Sequence, residues 1–544
     1  MALVPYQGPR RTTPRRSSAT QNHQAFPFGA PLRGLDVTQP LPGGNPQTAI
    51  RLENLVPRVL GLQMRRGYLR HVSNLSGEVR SEMKYLSPLG VNKLFAATAA
   101  GDIYDITTPT ASGVVPVPVL SVPTGTPVGE WTSLNFTTNA GVHVMLMVNP
   151  GSGYWIYDGT TFTQITMGVG VNQIDGINPN LFSFVTVYKN RVWFVEKDTT
   201  RGWYLDFGVY AGAATEFDFG SMFPNGGSLS VLINWTYDGS SGVGVQNQLI
   251  AIASQGDVLV YGGNDPDVVG EFQVIGRWFI GRVPVGHRYF TNYQQDVTIL
   301  SERGMVFMSE LMRGQGFFQN AQIAAAINSA LAVEIAGSLD TRYWEVRFLP
   351  HEQLLLVNRA EINIENLQWA YEVNNKAFAM LRGYPMLTVI DFNGKVFSGD
   401  LDGNIWQCFV GGTDGQVDAE PGDDLQGLVV TAFQPMGEGI RVKRFQMVRP
   451  SFISDSAPGV QAGLNSEWNL EINGPVPAYL GAGSGAWDVG LWDVAVWSGS
   501  GQSFEAWVGA TGTGRYAALA MKVRASADTL FVGWQALVEP GGVL

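Results

Sequence analysis

From residue 80 onward, short apolar runs alternate with polar turns at a spacing that suits strands rather than helices. The segments "KLFAATAAGDIYDIT" (93–107), "NRVWFVEKDTTRGWYLDFG" (190–208), "QLIAIASQGDVLVYGGNDP" (248–266) and "TVIDFNGKVFSGDLDGNIWQC" (388–408) share one plan. Each sets an apolar strand before a Gly, Asp or Asn turn and follows it with a second strand rich in aromatic or aliphatic residues. "YDG", "NG" and "DG" are hairpin signals, because positive backbone φ is cheapest at Gly and Asn. The plan recurs at roughly 40–60 residues, which matches one four-stranded blade per unit. The pattern therefore predicts an all-β chain with a β-propeller over 80–412, of about six blades. A sandwich is the alternative. Closure of the propeller would bring "FAATAA" near 95 beside a blade near 390–410.

Three stretches depart from this pattern. "NAQIAAAINSALAVEIAGSLD" (320–340) is alanine-rich and predicts a short helical insertion with an apolar face at Ile323, Ala326, Ile327 and Leu331. "GGTDGQVDAEPGDDLQG" (411–427) carries five carboxylates and no base, and its part over 413–427 reads as an acidic linker. Strand-like runs resume after it, so residues 428–544 are expected to form a C-terminal β-sandwich-like domain. The other end is different again. Eight prolines between Pro5 and Pro46 forbid regular helix, so 1–48 reads as extended coil within an N-terminal arm and docking segment over 1–79.

Composition agrees with a large β core. Of the 544 residues 45% are hydrophobic and only 15% charged, and 66 Gly with 29 Pro imply many turns. The single cysteine, Cys408, excludes an intrachain disulfide and fits a reducing compartment. The N-terminus lacks the apolar core of a secretory signal, and its prolines spoil the amphipathic helix of a transit peptide. The longest uncharged run, 106–129, holds five prolines, so stable membrane insertion is not expected. Net charge is −11 but unevenly spread. Residues 1–80 carry eleven arginines, no lysine and three acids, a net +8 that leaves −19 for the remainder. A basic arm on an acidic body suggests an acidic partner for the arm, nucleic acid or protein.

Signs of catalysis are few. The five histidines, His23, His71, His143, His287 and His351, are scattered, and no zinc spacing exists. "GAGSGAW" (481–487) lacks the Lys-Ser/Thr of a phosphate loop. "SGDLDGNIW" (398–406) is similar to the Asp-box hairpin of sialidase propellers, but Asp402 stands where glycine belongs. It reads instead as a type I′ turn capped by Asp400 and Asp402. "AWDVGLWDVAVW" (486–497) spaces Trp487, Trp492 and Trp497 by five, which suits either core packing or anchoring at an interface. No catalytic, cofactor or metal residue is assigned, and the chain is not expected to be an enzyme.

The segment "RGLDVTQP…NPQTAIRLENLVPRVLGLQMRRGYLR" (33–70) resembles the N-terminal segment of tail nozzle proteins of short-tailed bacteriophages. Ala49, Leu52 and Asn54 stand in an A-x-x-L-x-N element, Gly61 follows, and Arg65, Arg66 and Gly67 close it. The pairs Trp487-Asp488 and Trp492-Asp493 look like the C-terminal part of such proteins. The resemblance implies a virion structural protein in the tail, assembled in the host bacterial cytoplasm. It implies a homo-oligomeric, hexameric ring below portal and adaptor proteins that carries tail fibre proteins and passes double-stranded DNA. A net-negative wall would release DNA rather than grip it. Within this picture Arg65 and Arg66 are the candidate inter-subunit contact, through carboxylates of an adjacent subunit or the adaptor. The alternatives are a propeller glycosidase or depolymerase acting on host surface polysaccharide, and a receptor-binding tail protein.

Overall fold

The computed structural model describes residues 23–122, 129–238, 245–314, 323–341, 344–359, 367–418, 420, 422–472, 475–477, 501–525 and 528–541. The fold is all-β and propeller-like. Among the described residues seven antiparallel sheet units follow one another along the chain, the second and third joined edge to edge by parallel pairing through Gln173–Asp175. Their first strands are Val79–Tyr85, Thr132–Thr137, Phe182–Tyr188, Leu229–Asp238, Phe290–Tyr293, Trp344–Leu349 and Thr388–Phe392. Five sheets have four consecutive strands, and the fifth in order has three. The last draws only three from its own repeat.

The turns form where the sequence has the residues for them. Asn393 and Gly394 both take positive φ, 48° and 75°, the type I′ geometry that matches strand twist. At "YDG" the Asp158 carboxylate accepts the amides of Thr160 and Thr161 at 2.8 and 2.7 Å. In the first strand, "VRSEMKY", Val79, Ser81, Met83 and Tyr85 are buried between sheets. Arg80, Glu82 and Lys84 take the other face.

Closure follows the expectation. Leu94 and Ala96 share one core with Ile390, Phe392, Phe397 and Ile405. The Val79 amide donates to the Asp400 carbonyl at 3.0 Å. The fourth strand of the last sheet comes from the N-terminal segment. We label the strands there β1 (Gln24–Gly29), β2 (Ala49–Glu53), β3 (Leu55–Arg58), β4 (Gly61–Met64) and β5 (Tyr68–Val72). β5 pairs antiparallel with Ile405–Cys408 and completes that sheet.

The other N-terminal strands belong to the C-terminal domain, and this corrects the separate arm expected over 1–79. β1 pairs with Leu530–Pro540, β2 with Gln426–Thr431, and β4 with Leu530–Pro540. Proline at 27 is tolerated because β1 is an edge strand, where a missing amide donor leaves no ladder bond unmade. Only residues 1–22 of the expected coil lie outside the described residues. The C-terminal domain is two sheets around a core that includes Leu52, Val429, Phe445, Met521, Phe531 and Trp534. One of them is continuous with the sixth propeller sheet, because β2 pairs with Gln426–Thr431 on one side and meets Ala377–Arg382 in parallel on the other.

Two further expectations are corrected. The acidic linker is a hairpin: Thr413–Asp414 pairs with Asp423–Asp424, and the next strand starts at Gln426. Two of its acids, Asp414 and Asp418, are held by Arg65 and Arg70. The helix spans Asn328–Ala336, shorter than 320–340. Of the expected apolar face Ile327 and Leu331 are buried, with Ile335 one turn on, while Ile323 is exposed. Among the described residues no helix is long and apolar enough to cross a membrane.

The chain passes from the C-terminal domain into the propeller at Met64–Tyr68 and returns through 409–425, and these crossings touch. A Cβ on Gly67 would lie 1.8 Å from the Thr413 carbonyl oxygen. Gly67→Ala is therefore expected to lower unfolding free energy by about 1–3 kcal/mol, as an overpacked site does, in a urea titration.

Candidate functional site

Two places concentrate charge: the crossing that holds Arg65 and Arg66, and a cavity on the propeller axis.

At the crossing, Arg65 ends the β3–β4 hairpin and is buried, its side chain 2% exposed. Its guanidinium forms a bidentate pair with Asp414, Nη1 to Oδ1 at 2.7 Å and Nη2 to Oδ2 at 2.5 Å. Nε donates to Asn54 Oδ1 at 2.9 Å, and Nη2 also donates to the Arg382 carbonyl at 2.8 Å. The Tyr384 ring lies 4.3 Å below the guanidinium carbon. Burial disfavours the charge, but Tyr384 and Asp414 outweigh it and raise the pKa well above the ordinary arginine value. Arg70 repeats the arrangement nearby, with Nη2 2.9 Å from both Asp418 oxygens. The carboxylate expected for Arg65 thus lies in its own chain, and this corrects Arg65 as an inter-subunit contact. Arg66 is exposed. It lines a surface hollow of about 690 Å³ with Arg58, Val59, Leu60, His351 and Glu352.

The axial cavity, about 470 Å³, is walled by the first strands of six sheets or the residues just before them. The alternation in "VRSEMKY" delivers Arg80, Glu82 and Lys84. Arg288 and Arg347 arrive from the fifth and sixth sheets, Glu130 and Trp131 from the entry to the second. Two of the cations are paired: Arg80 with Glu130 at 3.6 Å and Arg347 with Glu345 at 2.6 Å. The other two bond neutral oxygens. Arg288 Nη2 donates to the Arg80 carbonyl and Ser81 Oγ at 2.6 and 2.7 Å, and Lys84 Nζ to the Asp391 carbonyl at 3.0 Å.

Glu82 is the unusual group. It lines the cavity, but both carboxylate oxygens are sealed from solvent, and no donor of ordinary geometry reaches them. Burial, then the neighbouring Glu345 charge, push its pKa up to about 8 against the opposing pull of Thr388, Arg288 and Arg347. A protonated carboxyl therefore sits among cations at neutral pH. Sequence reasoning missed this group; the signal was the regular placing of charge at 80, 82 and 84 within one strand.

The remaining candidates are structural or lie elsewhere. Asp400 alone caps its hairpin: Oδ1 accepts the amides of Asp402 and Asn404, and Oδ2 accepts Asn404 Nδ2 and Trp406 Nε1. Asp402 is exposed. Cys408 is buried beside Ser398, and burial pushes its thiol up to about 12. Among the described residues no group of three or more His, Cys, Asp or Glu could hold a metal ion. "GAGSGAW" and Trp487, Trp492 and Trp497 lie outside the described residues.

No protein-family model and no curated protein matches the chain. Similar solved structures include BBS1N in complex with ARL6DN, at 10% identity and TM-score 0.37, covering 63% of this chain and 98% of that one. Saccharomyces cerevisiae Sqt1 matches at 10% identity and TM-score 0.36 over 68% of this chain and 97% of its own. The β-propeller domain of Myceliophteria thermophila Cps50 (Swd1) matches at 11% and 0.32 over 58% and 93%. Likenesses this loose leave the architecture to be read from the chain's own strand pairing.

Two outcomes are expected. Arg65→Gln strands Asp414 and removes one donor each from Asn54 Oδ1 and the Arg382 carbonyl, so it should cost about 3–5 kcal/mol in chemical denaturation. For Glu82 the folded protein binds a proton that the unfolded chain releases, so its contribution is largest below the unfolded carboxyl pKa. Stability should fall as pH rises from about 4.5 towards 8, then level off. Glu82→Gln should remove that part of the slope, as measured by denaturation midpoints across the range.

Proposed function

We propose that the chain is a structural subunit of a virion tail nozzle. Copies join head to tail in a ring, hexameric as the resemblance of 33–70 implies. The ring sits beneath portal and adaptor proteins, carries tail fibres and lets double-stranded DNA pass. The observation that carries this reading is the placement of aliphatic side chains on bare turn tips. Val59 and Leu60, at the tip of the β3–β4 hairpin, are 73% and 74% exposed. Val169 and Val171, beyond the outer strand of the second sheet, are 88% and 93% exposed. A lone exposed aliphatic needs no cause, but pairs on projecting tips suit burial against another molecule. Unlike patches on one chain suit a heterologous contact, which closes into a ring when its rotation permits. Arg66, beside the first tip, stays a candidate for that contact.

A propeller hydrolase acting on surface polysaccharide is the second reading, for which the axial cavity would be the site. Glycoside cleavage calls for two carboxyl groups that reach the substrate. Here Glu82 is sealed, while Glu130 and Glu345 are engaged by arginines.

Mass photometry of the purified full chain, alone and with its adaptor, tests the proposal. Rings of uniform copy number are expected. Val59→Asp with Leu60→Asp should raise the concentration needed for assembly about tenfold or more without loss of folded structure. A chain that stays monomeric with the adaptor present, or that cleaves host polysaccharide, would overturn it.

A further inference from the structure

The axial cavity also carries an inference of its own, independent of ring assembly. Four cationic side chains line it, Arg80, Lys84, Arg288 and Arg347, against two carboxyls, Glu82 and Glu130. Arg80 and Glu130 compensate each other. Among the described residues Arg288 and Lys84 direct their bonds to neutral oxygens, so neither charge is met by a direct ion pair. Arg347 keeps a buried Nε with no acceptor, although its Nη2 is held by Glu345. Buried donors and charges left in this state are costly, and a ligand that accepts from them removes the cost. Its volume, about 470 Å³, is in the range of small-molecule sites.

We propose that this cavity binds a compact anion, a carboxylate or phosphate group of a small molecule, held by Arg288, Lys84 and Arg347. Glu82 gives the site a pH limit. While protonated it is neutral and adds no repulsion to the anion. Its surroundings are Glu345 and Arg347 from the sixth sheet, Arg288 from the fifth, Thr388 and Cys408 from the last, and Arg80 and Lys84 from its own strand. Once ionised it sets a negative charge in the cavity wall, so anion affinity falls as pH rises through about 8.

The test is calorimetric titration of the full chain with inorganic phosphate, with glucuronate and with glucose at constant ionic strength. Saturable binding of one anion and none of glucose is expected. Phosphate alone would identify a phosphoryl ligand, and glucuronate alone an acidic sugar, and either supports the site. Arg288→Gln should weaken binding about tenfold or more. If that variant fails to fold, Arg347→Gln, on a partly exposed side chain, should weaken it in the same direction. Glu82→Gln should flatten the loss of affinity between about pH 7 and pH 9 that the unaltered chain displays. No saturable binding of either anion, equal binding of glucose and glucuronate, or affinity unchanged in the folded arginine variants would overturn the proposal.

Discussion

Everything in this chain passes through the Arg65–Asp414 pair. The two residues are 349 apart in sequence and sit where the chain enters the propeller and where it leaves. Gly67 and Gly411 bring the backbones together, with the Gly67 amide donating to the Gly411 carbonyl at 3.2 Å and the Val410 amide to the Gly67 carbonyl at 3.1 Å. A buried guanidinium with five oxygen partners and an aromatic face beneath it tolerates one geometry only. Arginine's planar fork supplies that, where a lysine ammonium would offer a point charge. The pair clamps the point where the chain leaves the C-terminal domain, which holds β2 and β4, for the last propeller sheet, which holds β5.

Much of this fold was legible locally. Turn residues such as Asn393-Gly394 carry their conformation with them, and the apolar runs between turns are strands because nothing else suits their length. What local pattern could not convey is partnership. β5, "YLRHV", has no mark that assigns it to Ile405–Cys408, and the acids of 413–424 resemble a solvated linker until Arg65 and Arg70 are placed beside two of them. The chemistry foreseen for Arg65 was a bidentate carboxylate, and that is what it has, but long-range topology decides in which chain the carboxylate lies. Glu82 was overlooked for a related reason. A charge in a strand reads as a solvated face unless it is known that the strand is innermost in a propeller.

The uneven charge of the sequence also takes a different meaning. Of the eleven arginines in residues 1–80, Arg51, Arg58, Arg65, Arg70 and Arg80 form ion pairs within the chain, with Glu53, Glu372, Asp414, Asp418 and Glu78 respectively. Four of the others, Arg10, Arg11, Arg15 and Arg16, lie before the described residues begin. Within the described residues the basic region thus serves largely for internal fastening.

The pairing of β5 with Ile405–Cys408 has a consequence for synthesis. β5 leaves the ribosome early, and its partner strand is made only after all the intervening sheets. Until then the start of the propeller has neither its closing neighbour nor a settled N-terminal segment, and the C-terminal sheets that β1 to β4 join do not yet exist. Ordered contacts of this separation carry a large loop-closure cost and form slowly. The nascent chain must keep several apolar sheet faces apart while it waits, a state prone to association with other copies. Once closed, the propeller and the C-terminal domain have no independent way to come undone, because each holds strands that the other's chain path must release.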